Sequence, residues 1–310
     1  MQVKYCLLLF VFLEFFSLVS IAGEVTLSED ARAAAPVAWA LSLPTSAEFF
    51  VAVSKQERPN WSLAQRAEID NRVTDRSQIA LSLGVLFSDA YLAIEKQDGQ
   101  MVKNITRDIV SQAEKLHASE GLRARERNIN TFTERNNWNV LRAEVDATQN
   151  EIVMLLQSQN DQNLVPLIRV GEWLRTLNTF ATLQKKSLQP NSLSWLLQKS
   201  LIESQLNLIS ELPQKDTPNQ WRVAVIAALE EVLNASSSLN LPPLLSVTPD
   251  QLDLILKSTS DVLAVIGAVA EQPELSPKNV GDEPTATPTA PVGDMASPTP
   301  SSEPSGVPET

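Results

Sequence analysis

Apolar residues in the middle of the chain recur at the spacing of packed α-helices, and this pattern constrains the fold more than any other feature. Between Trp138 and Leu155 they follow one another at intervals of 3, 4, 3, 4 and 3 residues, a spacing typical of helices that pack side by side at a shallow angle. A polar segment, 158–163, separates this seam from a second one over 164–174. Two seams joined by a short polar loop predict an antiparallel helical hairpin.

Helix starts elsewhere extend the same architecture. Thr248 and Pro249 begin a segment in which Thr can cap the helix, Pro suits its first position and Gln251 can complete a capping box. The same pattern at Thr217 opens another helix, and apolar periodicity predicts the remainder. The predicted helices cover 75–97, 101–117, 120–134, 190–213, 218–234 and 249–270 in addition to the hairpin. We therefore predict an all-α bundle of about seven to nine helices with antiparallel hairpins. The segment 48–53, near the N-terminus, is the one place where the sequence allows a short strand.

Small residues at helical spacing predict two places where helices approach closely. Gly171 lies in the second apolar seam, and Ala80, Gly84 and Ser88 form a stripe on the very apolar segment 75–97. A helix surface without large side chains lets a neighbouring backbone come near. Close packing explains both features better than a ligand does.

The two ends of the chain differ from its body. Residues 1–22 combine an early lysine, an apolar run and small residues before Gly23, which predicts a signal peptide cleaved after Ala22. Export to the periplasm or the extracellular space follows, with no transmembrane segment left after cleavage. Cleavage also removes Cys6, the single cysteine, so the mature chain would have no disulfide. Residues 23–270 form the predicted helical domain, and the acidic segment 271–310, with nine of the nineteen prolines, is predicted to be disordered.

Charge and motif content exclude several functions. The net charge of −12 disfavours nucleic-acid binding. The sequence contains no glycine-rich nucleotide loop and no Gly-x-Ser-x-Gly nucleophile elbow. His117 is the single histidine, so the Glu114-x-x-His117 spacing cannot be completed to a di-iron site, which needs a second such motif. We predict no catalytic residue, no metal site and no cofactor.

Two charged features allow both a structural and a functional interpretation. Arg169, Glu172 and Arg175 project onto the polar side of a helix, and we expect a solvent-exposed ion ladder there. Asp89 is the sole charge between Ile79 and Ile94. We expect it on a thin solvent-facing strip of a mostly buried helix. The alternative is a buried carboxylate with a raised pKa, placed either for proton transfer or for pairing with an arginine.

A basic stretch gives the second set of candidate binding residues. The body of the chain is otherwise acidic, but one stretch of about twenty residues contains five arginines. Glutamates lie between these arginines, which favours a solvated helix over an anion-binding site. The speculative ligand-binding residues are accordingly Asp89, Arg123, Arg127, Arg135 and Arg142. Asn-x-Ser/Thr sequons occur at Asn60, Asn104 and Asn234, and Asn104 falls inside a predicted helix, where it is a poor acceptor.

These features together favour a non-enzymatic function. The expectation is an exported helical binding or scaffold protein that acts through contacts with protein partners in the cell envelope or the extracellular space, with homo-oligomerisation allowed. The alternative is a small-ligand-binding protein or an enzyme with its site inside the bundle. A ligand-sized pocket with converging arginine and carboxylate groups would favour the alternative, whereas an exposed apolar surface would favour the scaffold.

Overall fold

The computed structural model describes residues 45–57, 59–66, 72–186, 193, 196–212, 219–237 and 247–268. These residues form an all-α bundle of nine α-helices and contain no strand. The helices are α1 Ser46–Glu57, α2 Arg76–Glu95, α3 Gly99–Lys115, α4 Leu122–Glu134, α5 Trp138–Ser158, α6 Val165–Lys186, α7 Lys199–Glu211, α8 Gln220–Ser237 and α9 Pro249–Gly267. Two short 3₁₀ helices, Trp61–Ala64 and Gln162–Leu164, precede α2 and α6. The predicted signal peptide and the acidic tail lie outside the described residues.

The segment 48–53, where the sequence allowed a strand, is helical instead and belongs to α1. Its buried residues Ala47, Phe50 and Val53 recur every third position, as on one face of a helix. The aromatic ring of Phe50 packs between those of Trp61 and Phe180, with centroid distances of 5.3 Å to each. A short apolar run fits strand and helix alike, so its periodicity could not decide between them.

Helix α2 lies at the centre of the bundle. Every residue from Gln78 to Ile94 is buried, and Asp75 caps the first turn by accepting a hydrogen bond from the backbone N–H of Gln78 at 2.9 Å. Within the described residues, α2 is the one helix long and apolar enough to cross a membrane. A buried core helix has this same composition, so the property carries little weight as a sign of membrane insertion.

The two predicted small-residue features pack against each other. A Cβ atom added at Gly84 of α2 would collide with the carbonyl oxygen of Ile168, and one added at Gly171 of α6 would collide with that of Leu81. Farther along both helices, Ser88 Oγ of α2 lies 3.0 Å from Thr176 Oγ1 of α6. The predicted close packing is thus confirmed, and the two helices run in the same direction. This contact brings the polar side of α6 into the centre of the bundle.

The predicted helix boundaries hold to within a few residues for α2 to α4, α8 and α9. The capping box of α9 is confirmed, since the Thr248 hydroxyl accepts from the N–H of Gln251 at 3.3 Å and the Gln251 side chain accepts from the N–H of Thr248 at 2.9 Å. Helix α7 begins at Lys199, later than the predicted 190. The predicted hairpin of α5 and α6 is not formed as a packed pair: the two helices follow one another in sequence, but α5 packs on α4 and α2, and α6 packs mainly on α2. A hydrogen bond from Gln149 Nε2 to Glu172 connects α5 with α6.

Candidate functional site

The polar side of α6 is buried, so the predicted solvent-exposed ion ladder is wrong. Arg169, Glu172 and Arg175 keep 7%, 2% and 1% of their surface exposed. The helical projection placed these residues correctly on one side of α6. It could not show that α1, α2 and α5 cover that side, because a projection describes one helix and not its neighbours.

Glu172 is held by three donors from three helices. Its carboxylate accepts hydrogen bonds from the backbone N–H of Ser46 at 2.8 Å, from Gln149 Nε2 at 2.7 Å and from Arg169 Nη1 at 3.0 Å. Ser46 is the first residue of α1, so a negative charge lies at the positive end of this helix dipole. Glu172 therefore fixes the start of α1 against α5 and α6.

A second polar group lies beside Glu172. The hydroxyl of Tyr91, on α2, donates a hydrogen bond to Asp146 Oδ1, on α5. Burial raises the pKa of Tyr91 well above its ordinary value, and the negative charges of Glu172 and Asp146 add to this shift. The pKa of Asp146 is also raised, chiefly because the carboxyl is partly removed from water. The phenol therefore remains protonated and serves as a donor.

Asp89 is buried, so the predicted solvent-facing position is wrong and the alternative pairing with arginine is confirmed. The residue is 4% exposed. Its two carboxylate oxygens accept from Arg175 Nε at 2.6 Å and from Arg66 Nη2 at 2.5 Å. The sequence could not place Arg66 near Asp89, because this arginine comes from the connection between the first 3₁₀ helix and α2.

Arg175 joins Asp89 to the remainder of the core. Its guanidinium donates to the backbone oxygen of Ala64 at 2.7 Å and to Asn178 Oδ1 at 3.0 Å. Asn178 in turn donates to Thr259 Oγ1 of α9 at 3.0 Å. Complete burial lowers the pKa of Arg175, and the charge of Asp89 opposes this shift. The network ties α2, α6 and α9 together.

A pocket of about 310 Å³ opens beside Asp89. It lies between the connection that carries Arg66, helix α2 and helix α3. The lining residues are mixed in character: Gln65, Arg66, Leu86, Asp89, Asp98, Gln100, Met101, Asn104, Ile105 and Asp108. Several of the polar groups already bond within the chain. Asp98, for example, accepts from the N–H of Met101 at 3.0 Å, which lowers its pKa, and from Lys96 at 3.0 Å.

The four candidate arginines of the basic stretch do not line this pocket. Arg123 is exposed and pairs with Glu114 and Glu126. Arg142 pairs with Glu95 at the end of α2. Arg127 and Arg135 are exposed on α4 and just beyond it. The structure therefore separates Asp89 from the other four predicted ligand-binding residues, and it distributes those four over different surroundings.

His117 lies just beyond α3 in the left-handed region, with φ at 61°. The carbonyl oxygen of His117 accepts a hydrogen bond from Gln159 Nε2 at 2.6 Å. Among the described residues, no group of three His, Cys, Asp or Glu side chains could hold a metal ion. Of the sequons, Asn60 is exposed before the first 3₁₀ helix, and Asn104 lies within α3 as predicted.

The sequence interpretation missed one surface, on the outer side of α5. Val140, Ala143, Ala147, Asn150, Met154 and Gln157 follow one another at intervals of 3, 4, 3, 4 and 3 residues. We call these six residues the α5 outer face. Five of them are exposed and Ala147 is half-buried. The signal was present as a second seam on the same helix, offset from the seam that enters the core.

The α5 outer face carries no charged residue. Met154 is 67% exposed and Val140 is 38% exposed. The charged residues beside it already have partners, since Glu144 and Glu151 both accept from Arg125, at 3.2 and 2.7 Å. The helix therefore presents a neutral strip between bonded charges.

Comparison with known proteins adds no assignment to this geometry: no protein-family model matches the chain, and no curated protein or solved structure matches it either.

Proposed function

We propose that this chain is an exported, non-enzymatic helical binding protein that acts through protein–protein contacts, with the α5 outer face as its docking surface. The observation that carries the proposal is the exposed, uncharged strip on a helix whose opposite side is anchored in the core. Residues such as Leu141, Val145 and Ile152 are fully buried beneath it. The strip is therefore presented by a rigid element, which lowers the entropy lost on binding.

The chemistry of the strip supports docking of a protein surface. The centres of protein interfaces are depleted in charged residues and enriched in methionine. Covering Met154 and Val140 removes apolar area from water, and Asn150 can form a hydrogen bond across the contact. Ala143 and Ala147 have short side chains, so a partner helix can approach closely between the larger residues.

The state of the buried carboxylates supports a binding role over catalysis. Asp89 bonds to two arginines, and Glu172 bonds to three donors. A carboxylate that acts as a general base or nucleophile needs a free oxygen that faces the substrate. The interactions of Asp89 and Glu172 instead connect helices, as expected for residues that stabilise the bundle.

The proposal is tested with a photo-crosslinking amino acid introduced into the full chain in its source cells. We expect a discrete crosslinked product from position 154. A matched probe at Val223, which is 59% exposed on α8, should give none. Loss of the product in an Ala147→Glu background would tie it to the α5 outer face. Absence of any product specific to position 154 would overturn the proposal.

Export remains part of the proposal and has its own measurement. Intact-mass analysis of the protein from its source should give a chain that begins at Gly23, after removal of residues 1–22. A mass that retains Cys6 would contradict cleavage.

The pocket at Asp89 favours a second candidate, the binding of a small polar molecule. Its volume of about 310 Å³ is at the lower end of ligand pockets, and carboxylate, amide and apolar groups converge on it. Native mass spectrometry of the source-purified protein would show an added small-molecule mass. This mass should be lost in Asn104→Arg, which fills the pocket, and retained in Ala147→Glu. A wild-type protein without added mass would contradict this candidate.

A further inference from the structure

We infer that Asn60 is a modification site that carries an N-linked glycan, and that the sequons at Asn104 and Asn234 stay unmodified. This inference rests on the export that the proposed function includes, because N-linked glycans belong to the surface loops of secreted proteins. It does not depend on the α5 outer face. It follows from the exposure and the backbone conformation of the three sequons, which differ from one another in the structure.

The tripeptide Asn60-Trp61-Ser62 lies in the connection between α1 and α2, at the start of the first 3₁₀ helix. Asn60 and Ser62 are both exposed, whereas Trp61 is 7% exposed. The centroid of the Trp61 ring lies 5.3 Å from that of Phe50 and 6.3 Å from that of Phe180. The buried aromatic residue in the middle position therefore holds the two flanking polar side chains at the surface.

A turn within this tripeptide presents the acceptor amide. Asn60 has φ at −79° and ψ at 88°, outside the helical region, and its Oδ1 accepts from the backbone N–H of Ser62 at 3.2 Å. This bond uses Oδ1, whereas a glycan is attached to Nδ2. The backbone oxygen of Asn60 also accepts from the N–H of Leu63 at 3.1 Å. Both bonds join residues two or three positions apart, so the turn can form before the remainder of the fold.

The other two sequons lie within α-helices, where residues two positions apart do not face each other. Thr106 of α3 is 1% exposed, and its hydroxyl donates to the backbone oxygen of Val102 at 2.8 Å. Ser236 of α8 is 6% exposed, and its hydroxyl donates to the backbone oxygen of Leu233 at 2.8 Å. The hydroxyl that completes each of these two sequons is therefore buried and bonded within its own helix.

The modification is a group transfer from a lipid-linked oligosaccharide. Nδ2 of Asn60 forms a bond to C1 of the first sugar, and the bond between C1 and the diphosphate oxygen of the lipid carrier breaks. The lipid diphosphate leaves with the electron pair, and the amide nitrogen loses one proton to a base of the transferase. The transferase needs access to the asparagine and to the hydroxyl two residues later. Of the three sequons, the one at Asn60 exposes both.

Intact-mass analysis of the full chain from its source cells tests the site. Wild type should carry one glycan, which peptide N-glycanase removes while it converts the modified asparagine to aspartate. Asn60→Gln should lose the added mass. Ser62→Ala should lose it too, and this variant keeps the backbone N–H that bonds to Asn60, so a disrupted turn would not explain the loss. Ser62→Thr keeps the hydroxyl and should keep the glycan.

Asn104→Gln and Asn234→Gln are the matched controls, and both should keep the full glycan mass. A wild-type chain that begins at Gly23 without a glycan would overturn this inference and leave export standing. Loss of the glycan in either control would also overturn it. A chain that retains residues 1–22 and carries no glycan would show that export is wrong, and the site at Asn60 would fail with it. The crosslink from position 154 decides the docking surface separately.

Discussion

The polar side of α6 and the outer face of α5 show opposite relations between charge and burial. On α6, Arg169, Glu172 and Arg175 are buried in the centre of the bundle. On α5, six residues without charge face outward. The two helices are neighbours in sequence, yet each reverses the usual expectation of charges outside and neutral residues inside. Burial here follows from which helices cover a surface, and local polarity does not predict it.

The comparison also separates two uses of polar groups. The buried charges form bonds between distant segments, such as those of Arg175 to Asp89 and to the backbone oxygen of Ala64. Each such bond fixes which helix lies beside which, and its loss leaves a charge in the core. The outer face of α5 has no such internal role. Substitutions on the polar side of α6 should therefore lower the stability of the fold. Substitutions on the α5 outer face should instead weaken the binding of a partner.

The largest loss of stability is expected from Asp89→Ala. This substitution leaves the completely buried guanidinium of Arg175 without its counter-charge, and breaking a buried pair in this way costs about 3–5 kcal/mol. Chemical denaturation would measure the change in the free energy of unfolding. Asp261→Ala is the matched control, because Asp261 pairs with Lys257 on the exposed side of α9, where an ion pair contributes little to stability. Equal losses in the two variants would contradict a buried network.

A smaller loss is expected from Gly171→Ala. The added Cβ meets the backbone oxygen of Leu81, and a backbone atom in a packed helix cannot move aside easily. We expect a loss of about 2–3 kcal/mol. Gly99→Ala is the comparison and should cost less, since its Cβ would meet the methyl group of Thr133 at 2.7 Å, a side-chain atom, whereas that of Gly171 meets helix backbone. Thermal unfolding of both variants gives the comparison, and a Gly171→Ala protein as stable as wild type would show that α2 and α6 are farther apart.

An intermediate effect is expected from Glu172→Gln. An amide has one acceptor oxygen where the carboxylate has two, and it leaves Arg169 without a negative partner, so we expect a loss of about 1–2 kcal/mol. The effect should be local, because Glu172 holds the first N–H of α1. Hydrogen exchange should increase in α1 more than in α9. A uniform increase over both helices would contradict the anchoring role.

Much of the fold could be predicted from the sequence because helical periodicity and caps act locally. The capping box at Thr248 needs only residues three positions apart, and the small residues Gly84 and Gly171 mark close packing wherever the partner lies. The pairing of these two glycines could not be predicted, since nothing local relates α2 to α6. The same limit explains the misassignment at α1, where a run of five apolar residues, 49–53, carries too little periodicity.

Local sequence patterns also could not show which distant residues surround the candidate sites. Asp89 is a lone charge in an apolar helix, and this pattern indicates a candidate site residue. Its burial, however, depends on Arg66 and Arg175, which are distant in sequence. The regular spacing of the α5 outer face could be found in the sequence, as a second seam beside the one that starts at Trp138. An uncharged exposed strip has no recognised motif, however, and exposure becomes visible only once the helices that cover the opposite side are placed.

The smallest expected effect is on the pH dependence of stability, in variants of two aspartates, Asp146 and Asp98. The pKa of Asp146 is raised by burial, so its ionised form destabilises the folded state at neutral pH, and this cost disappears as the pH falls through the folded pKa. Asp146→Asn should therefore stabilise the protein slightly at pH 7, by less than about 1 kcal/mol once solvent screening of the half-exposed carboxyl is counted. The gain should be gone below the ordinary carboxyl pKa of about 4.

Asp98 provides the control with the opposite sign. Its pKa is lowered by the N–H of Met101, so its ionised form stabilises the folded state above the ordinary carboxyl pKa, and that stabilisation is lost as the pH falls towards the folded pKa. Asp98→Asn should therefore destabilise at pH 7 and approach wild type in acid. Stability curves of the two variants should converge on wild type from opposite sides. The sign of each variant's stability difference from wild type depends on whether desolvation or hydrogen bonding dominates at that carboxyl. Two curves that approach wild type from the same side would therefore show that the surroundings of one carboxyl differ from those described.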